Sequence, residues 1–364
     1  MKTIRIGLVG CGGMMSSHAK AIQKVETIDV TAVCDVVVER AQEVANALGG
    51  ATYVTADYRT MVEHVDAVLV ALPHDLHFEC GMFFARHKKH VLMEKPLCNS
   101  EEECIRLIRT CEEEGVVLMC AYPLRFKPHI VKLKELIDSG DYGRVMQVSM
   151  WTEQLTVSDE LNWISTERLG GGQFFSHGCH YIDAMLWFLG NPVKGIHFGT
   201  RVGTPWLLHE GTSVAIMKFE NGALGYHGAT WGAHGTKLDY EFQIMTEKGL
   251  IAYHHTDKEI HFYDQARVHV PGSADEYTRK YKVIWSHEEP ASSGKNTNHE
   301  IEHFADCILN GKRPITDGYT ALQGLRAIWK MYDAEKHNVV ADLRGCGLDQ
   351  LPEKLFLADE IVTT

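Results

Sequence analysis

The chain opens MKTIRIGLVGCGGMMSSHAK. Residues 4–9 are an apolar run of β type that ends at Gly10, and helical spacing begins directly after Gly12 and Gly13. A strand that passes through glycines straight into a helix commits this region to parallel βα units. Gly10 permits the tight turn, and Gly12 lets backbone approach a pyrophosphate. The helix start then offers unpaired N–H groups and a positive dipole end. Gly10, Gly12, Gly13, Met14 and Met15 are therefore the candidate phosphate-binding turn, with Met15 at a position where the fingerprint asks for Gly or Ala. Asp35 closes the second strand candidate, 23 residues after Gly12. Its carboxylate can accept hydrogen bonds from an adenosine ribose and repel a 2′-phosphate. Val36 follows without an adjacent Arg or Lys, so NAD is favoured over NADP.

The first 120 residues continue in this manner. IDVTAVCD, DAVLVAL, KHVLME and VVLMCA read as further strands, with helices over 37–48, 75–87 and 101–114, the last opened by a Ser100/Glu103 capping box. After Tyr122 the pattern changes. One helix near 127–139 precedes six β-type segments that alternate apolar and polar residues, as an antiparallel sheet with one buried face does. Helical periodicity returns at 298–310 and 317–337, and the polar stretch 265–297 reads as a long hairpin or loop. The expected fold is α/β: a doubly wound parallel sheet over 1–123, then an α+β domain over 124–364 with a large open, mainly antiparallel sheet. The final helices are expected to pack back towards the first domain.

Composition narrows the partners. A 364-residue chain with 45% hydrophobic content supports about two domains. Its 36 basic against 48 acidic residues leave a net charge of −12, and no long basic run stands out, which argues against nucleic acid. No apolar run approaches the roughly 20 residues needed to span a bilayer. The N-terminal apolar run is too short for a signal peptide. Ten cysteines without a CxxC pair read as free thiols of a cytoplasmic protein.

Chemistry concentrates in FFSHGCHYID (174–183), which follows Gly170, Gly171 and Gly172 and holds Ser176, His177, His180 and Asp183 among apolar residues. Cys179 beside His180 invites a nucleophile reading, but adjacent helical residues point about 100° apart. His299-Glu300-Ile-Glu302-His303 matches the HExxH zinc signature. The apolar stripe of that helix (Ile301, Phe304, Ala305, Ile308, Leu309) leaves both histidines on the polar side, so no metal is expected.

Leu72-Pro73-His74 closes one strand candidate, His77 follows it, and Met93-Glu94-Lys95-Pro96 closes the next. Further on stand Tyr122-Pro-Leu-Arg125-Phe, the block from Gly170 to Asp183, and the C-terminal helices around Phe304, Gly311 and Pro314. With the glycine turn, this ordered set resembles the Gfo/Idh/MocA family of glucose–fructose oxidoreductase and inositol dehydrogenase relatives across most of the chain. The resemblance implies a nicotinamide cofactor and hydride transfer at a hydroxyl of a sugar, cyclic polyol or glycoside. It also implies a homodimer or homotetramer formed through the second sheet.

For the site, the resemblance places Leu72, Pro73, His74, His77, Glu94 and Arg125 with the cofactor. Lys95 would lie beside the nicotinamide and the reacting oxygen, where an ammonium stabilises a developing alkoxide. His180 would take the hydroxyl proton, Tyr122, Trp163 and Arg125 would frame the nicotinamide and sugar ring, and Asp183 would fix local structure; His177 stands outside the family pattern and is either a substrate contact or a helix-start residue bonded to backbone. The family pattern has an Asp four residues before this His, and here that position is Ser176. A helix over 177–189 would set Ser176 and His180 one turn apart, with both able to face the cleft. Glu153, Asp159 and Glu160 are conceivable substitutes for the lost acid. Two other functions stay open. One is an NAD-dependent glycoside hydrolase that oxidises its sugar transiently and eliminates the aglycone; the other is a non-catalytic nucleotide-binding sensor.

Overall fold

A computed structural model describes residues 3–50, 53–157, 162–264, 281–287 and 297–350. The N-terminal strands are β1 (Ile4–Val9), β2 (Ile28–Cys34), β3 (Tyr53–Thr55), β4 (Ala67–Val70), β5 (His90–Met93) and β6 (Leu118–Cys120). They form one sheet in the order β3-β2-β1-β4-β5-β6, and every pairing is parallel. Helices α1 (Gly13–Ile22), α2 (Val38–Ala47), α3 (His77–Arg86) and α4 (Glu101–Glu113) make the crossovers. β4 is buried along its whole length, as a parallel strand covered on both faces must be. The expected cap of α4 is present: Ser100 Oγ accepts from Glu103 N–H, while the Glu103 carboxylate accepts from Asn99 N–H. The pattern missed β3, whose three residues are too few to show alternation.

The second sheet has nine strands. They are β7 (Val145–Glu153), β8 (Pro192–Thr200), β9 (Thr212–Phe219), β10 (Leu224–Thr230), β11 (Phe242–Thr246), β12 (Gly249–His254), β13 (Glu259–Tyr263), β14 (Lys282–Ser286) and β15 (Ala341–Asp342). Their order is β14-β13-β12-β11-β7-β10-β9-β8-β15, antiparallel except where β7 lies parallel to β10. That pair is parallel because the chain leaves β7, builds helices and two strands, and re-enters beside it. Of the stretch expected to be a hairpin or loop, 282–286 is strand β14, while 265–280 and 288–296 lie outside the described residues.

The remaining helices are α5 (Pro128–Asp138), α6 (Gln173–Ser176), α7 (Cys179–Leu189), α8 (Asn298–Asn310) and α9 (Gly318–Lys336). α7 and α9 pack on each other and cover the inner face of the second sheet, where Met217, Phe219, Phe242 and Ile244 are buried. α8 packs on α1, and α9 also touches α4 and β6. The outer face stays apolar in places: Phe198, Ile216, Leu224 and Met245 are exposed there, with Ile216 registered against Ile196 and Tyr226.

Candidate active site

The glycine turn is built as its spacing predicts. Gly10 has φ +85°, and a Cβ there would sit 2.4 Å from the Ala71 carbonyl, so only glycine fits. Gly12 caps α1 without a side-chain partner, and the space beside Gly12 and Gly13 is open. Asp35 accepts from Cys11 N–H at 2.7 Å and from Val37 N–H at 2.8 Å, which holds its carboxylate at the rim of that turn. An uncapped helix start, open glycines and a fixed carboxylate fit a dinucleotide. Met15 needs correction: its side chain is fully buried in the core with Ile6 and Leu8, filling the gap between α1 and the sheet. Met14, its neighbour, lines the cleft.

At the end of β5, the buried Glu94 carboxylate is held from two sides. His18 Nε2 lies 2.8 Å from one oxygen, and Lys95 N–H donates to the other at 3.0 Å. The second nitrogen of His18 meets Thr297 Oγ1 at 3.0 Å, so α1, β5 and the start of α8 are tied together behind the site. The Lys95–Pro96 peptide is cis. Lys95 Nζ donates to the backbone carbonyl of Ser176 at 2.9 Å.

The segment after β4 is structural to a greater degree than expected. His77 is fully buried, and its two ring nitrogens face the carbonyls of Pro96 at 2.8 Å and Leu72 at 3.0 Å. His74 donates from Nδ1 to the Leu169 carbonyl at 2.9 Å. Burial, aided by the Lys95 charge, holds His74 neutral with a pKa well below the usual value. Leu72 and Pro73 stay half-buried at this edge. Trp163 packs edge-on against His74 at 4.8 Å and joins a small cluster with Leu169, Leu207 and Trp231.

Arg125 also departs from its expected role. Its guanidinium makes a bidentate pair with Asp183 at 2.7 and 2.8 Å, with both side chains buried, and a further bond to the Ile315 carbonyl. The guanidinium is thereby committed to the interior instead of a cofactor. Asp183 is architectural, as expected; burial pushes its carboxyl up while Arg125 pulls the other way. Tyr122 is fully buried core, edge-on to His180 at 5.7 Å.

The block that raised the question of a lost acid is not one helix. α6 stops at Ser176 and α7 starts at Cys179, with Gly178 packed so tightly that a Cβ would lie 2.4 Å from the Phe174 carbonyl. Ser176 is buried and absent from the cavity wall; what it presents to Lys95 is its backbone carbonyl. Cys179 is fully buried and its thiol is pushed up to about 12 by burial, which disqualifies it as a nucleophile. Of the substitute acids, Glu153 is bound to Thr236 Oγ1 and Leu238 N–H, and Asp159 and Glu160 lie outside the described residues. In the HExxH segment, His299 is exposed, His303 accepts from Ile315 N–H at 3.1 Å, and Glu300 is fully buried. Burial, then the nearby Glu94 carboxylate, raises the Glu300 pKa well above the ordinary carboxyl value.

Met14, Glu94, Lys95, His177 and His180 come together on the wall of a cavity of about 470 Å³. It opens beside the carboxyl ends of the parallel strands, where folds of this kind place ligands. The wall also includes Lys127, His129, Tyr181, Tyr240, Tyr253 and His255, none of which the sequence pattern singled out. Lys127 and His129 directly follow the Tyr122–Phe126 motif, and that adjacency was the available signal.

The family model "Oxidoreductase family, NAD-binding Rossmann fold" matches residues 4–122, and the GFO/IDH/MocA C-terminal domain matches residues 130–252. A myo-inositol 2-dehydrogenase of Thermotoga maritima is 28% identical over 255 residues, taking in 68% of this chain and 74% of that one. A 2,7-anhydro-N-acetylneuraminate hydratase of Mediterraneibacter gnavus is 29% identical over 194 residues, 52% of this chain and 50% of that one, so the match spans only half of that relative. The solved levoglucosan dehydrogenase with NADH and L-sorbose superposes with a TM-score of 0.82 at 20% identity, covering 94% of this chain and 99% of that one, which bears on fold alone. With both domain models matched in order and the NAD turn in place, the chain belongs to the GFO/IDH/MocA family of NAD-binding oxidoreductases.

Proposed function

We propose that the protein is a dehydrogenase that moves a hydride between NAD and a hydroxyl-bearing carbon of a sugar, cyclic polyol or glycoside. The observation that carries this reading is the convergence of Lys95, His180 and Met14 on one cavity wall beside the glycine turn. NAD, when bound, supplies the hydride acceptor. Lys95 has three N–H donors, and the Ser176 carbonyl takes up one of them. The ammonium is thereby aimed along the cleft, where it stabilises the alkoxide that forms as the hydroxyl loses its proton. His180 accepts that proton. Ser176 itself offers no carboxylate to the imidazolium. Asp35 selects NAD over NADP by bonding to ribose hydroxyls and repelling a 2′-phosphate. The names of relatives that act on inositol and on xylose support a polyol or sugar as the substrate.

A second reading draws on the hydratase relative and on the missing carboxylate: transient oxidation, elimination and return of the hydride, with no net NADH. Product analysis beside NADH detection, over a panel of polyols, sugars, glycosides and keto-sugars, separates the two. Accumulating NADH supports the dehydrogenase; released aglycone or water exchange without NADH supports the second reading. Loss of both activities in Lys95→Ala excludes a non-catalytic sensor.

We place the nucleotide domain at 1–123 and the substrate domain at 124–364. Self-association occurs through the apolar outer face of the second sheet around Phe198, Ile216, Leu224 and Met245. All ten cysteines are buried free thiols, which supports a cytoplasmic setting. Among the described residues no helix is long and apolar enough to cross a membrane.

A further inference from the structure

We propose that Glu300 is a positioning residue for the active site: a buried carboxylic acid that keeps Glu94 ionised and, through it, holds Lys95 in place. This rests on the role given to Lys95 above and adds a residue that lies behind the reacting groups.

Thr297-Asn298-His299-Glu300 has the same capping-box spacing as Ser100 and Glu103. On α4 that box is made; at the start of α8 it is not. Thr297 forms no side-chain cap, and its hydroxyl instead meets His18 Nδ1 at 3.0 Å. Glu300 is fully buried, and neither carboxyl oxygen has a hydrogen-bond partner among the described residues. The first turn of α8 therefore faces inward, one imidazole away from Glu94, whose oxygen lies 2.8 Å from His18 Nε2.

Two carboxyls share this interior, and their surroundings differ. Glu94 meets His18 and accepts from Lys95 N–H, so its charge is supported. A carboxylate at Glu300 would be buried without a donor and would face the like charge of Glu94. The proton therefore stays on Glu300. The other titratable groups facing this pair are His18 on α1 and Cys120 on β6, a buried thiol that both carboxyls raise further. On α8 itself, His299 and Glu302 are exposed and pair at 3.1 Å, and His303 accepts from Ile315 N–H. Ionising Glu300 would drive a proton onto Glu94, and a neutral Glu94 binds the Lys95 N–H less strongly. That N–H anchors the residue whose Nζ reaches the Ser176 carbonyl.

The test is infrared difference spectroscopy between the wild type and Glu300→Gln across pH, without substrate. At neutral pH the difference should show the carbonyl stretch of a protonated carboxylic acid. Glu94→Gln removes the neighbouring charge, so in that background the band should vanish at a pH lower by about one unit or more. Lys95 is followed by NMR of protein carrying isotope-labelled lysine, with Lys95→Met identifying its signal. That signal should shift where the acid band is lost in the wild type, and this step should be absent in Glu300→Gln. Glu300→Met repeats each comparison with an apolar side chain. A carboxylate band at neutral pH, an unmoved midpoint in Glu94→Gln, or the same lysine step with and without Glu300 would overturn the proposal. None of these readouts needs turnover. NADH formation, read separately, reports on the dehydrogenase reading, so either can fail alone.

Discussion

Lys95 meets Ser176 across the cleft through one hydrogen bond, from Nζ to the backbone carbonyl, at 2.9 Å. The position that carries an acid in the family pattern thus reaches the lysine with main chain, and the break between α6 and α7 turns that carbonyl towards it. A backbone acceptor does not depend on the side chain behind it. Ser176→Ala is therefore expected to keep turnover close to that of the wild type, measured by steady-state NADH formation. A loss of about 10²-fold or more would show that the hydroxyl takes part in proton transfer.

The Arg125–Asp183 pair lies inside the protein, so removing one partner strands the other charge. Arg125→Met should cost about 3–5 kcal/mol in urea unfolding. The double variant Arg125→Met/Asp183→Leu should recover much of that loss, because no charge is then left buried. Similar stability for the single and double variants would contradict this account.

Asp35 is held by Cys11 and Val37 N–H at the rim of the glycine turn. Asp35→Ser should weaken NADH binding by about 10- to 100-fold, through loss of charge-assisted bonds. It should also narrow the gap between NADH and NADPH, both read by fluorescence titration. Retained discrimination would assign cofactor choice elsewhere.

Several buried histidines make the fold sensitive to acid. His74 is lowered by burial, His129 stands at about 2 and His227 at about 3 for the same primary reason. Their folded pKa values lie below the unfolded value near 6.5, so they contribute stability above that pH and lose it as pH falls. Glu300 and Asp183, both raised by burial, act in the opposite sense, losing stability as pH rises past the unfolded carboxyl range. With more histidines lowered than carboxyls raised among the described residues, the melting temperature should fall between about pH 7 and pH 5. His227→Gln should make that fall shallower. Thermal melts across the range check both points.

The parallel sheet was legible because three of its strands end at a residue type their chemistry requires: Gly10, Asp35 and Glu94. Met14, Lys95, His177 and His180, named from their motifs, line the cavity. Arg125, His77 and Tyr122 were not separable from true wall residues. Their positions along the chain are the same whether a side chain points into the cleft or into the core, and tertiary packing alone decides. Lys127, His129 and His255 went unseen because they come from a helix start and a strand end that only the folded second sheet brings together. The buried Glu300 was hidden by an HExxH motif that draws attention to its histidines.

Hydride transfer is proposed at the Lys95–His180 cavity. It is tested most directly by supplying a substrate deuterated at the reacting carbon and locating the label by mass spectrometry. Wild-type protein should place deuterium in the reduced nicotinamide, and Lys95→Met should slow this by about 10²–10³-fold while still binding NADH. Label transfer undiminished in Lys95→Met would contradict the account, as would oxidation of the substrate without deuterium reaching the cofactor.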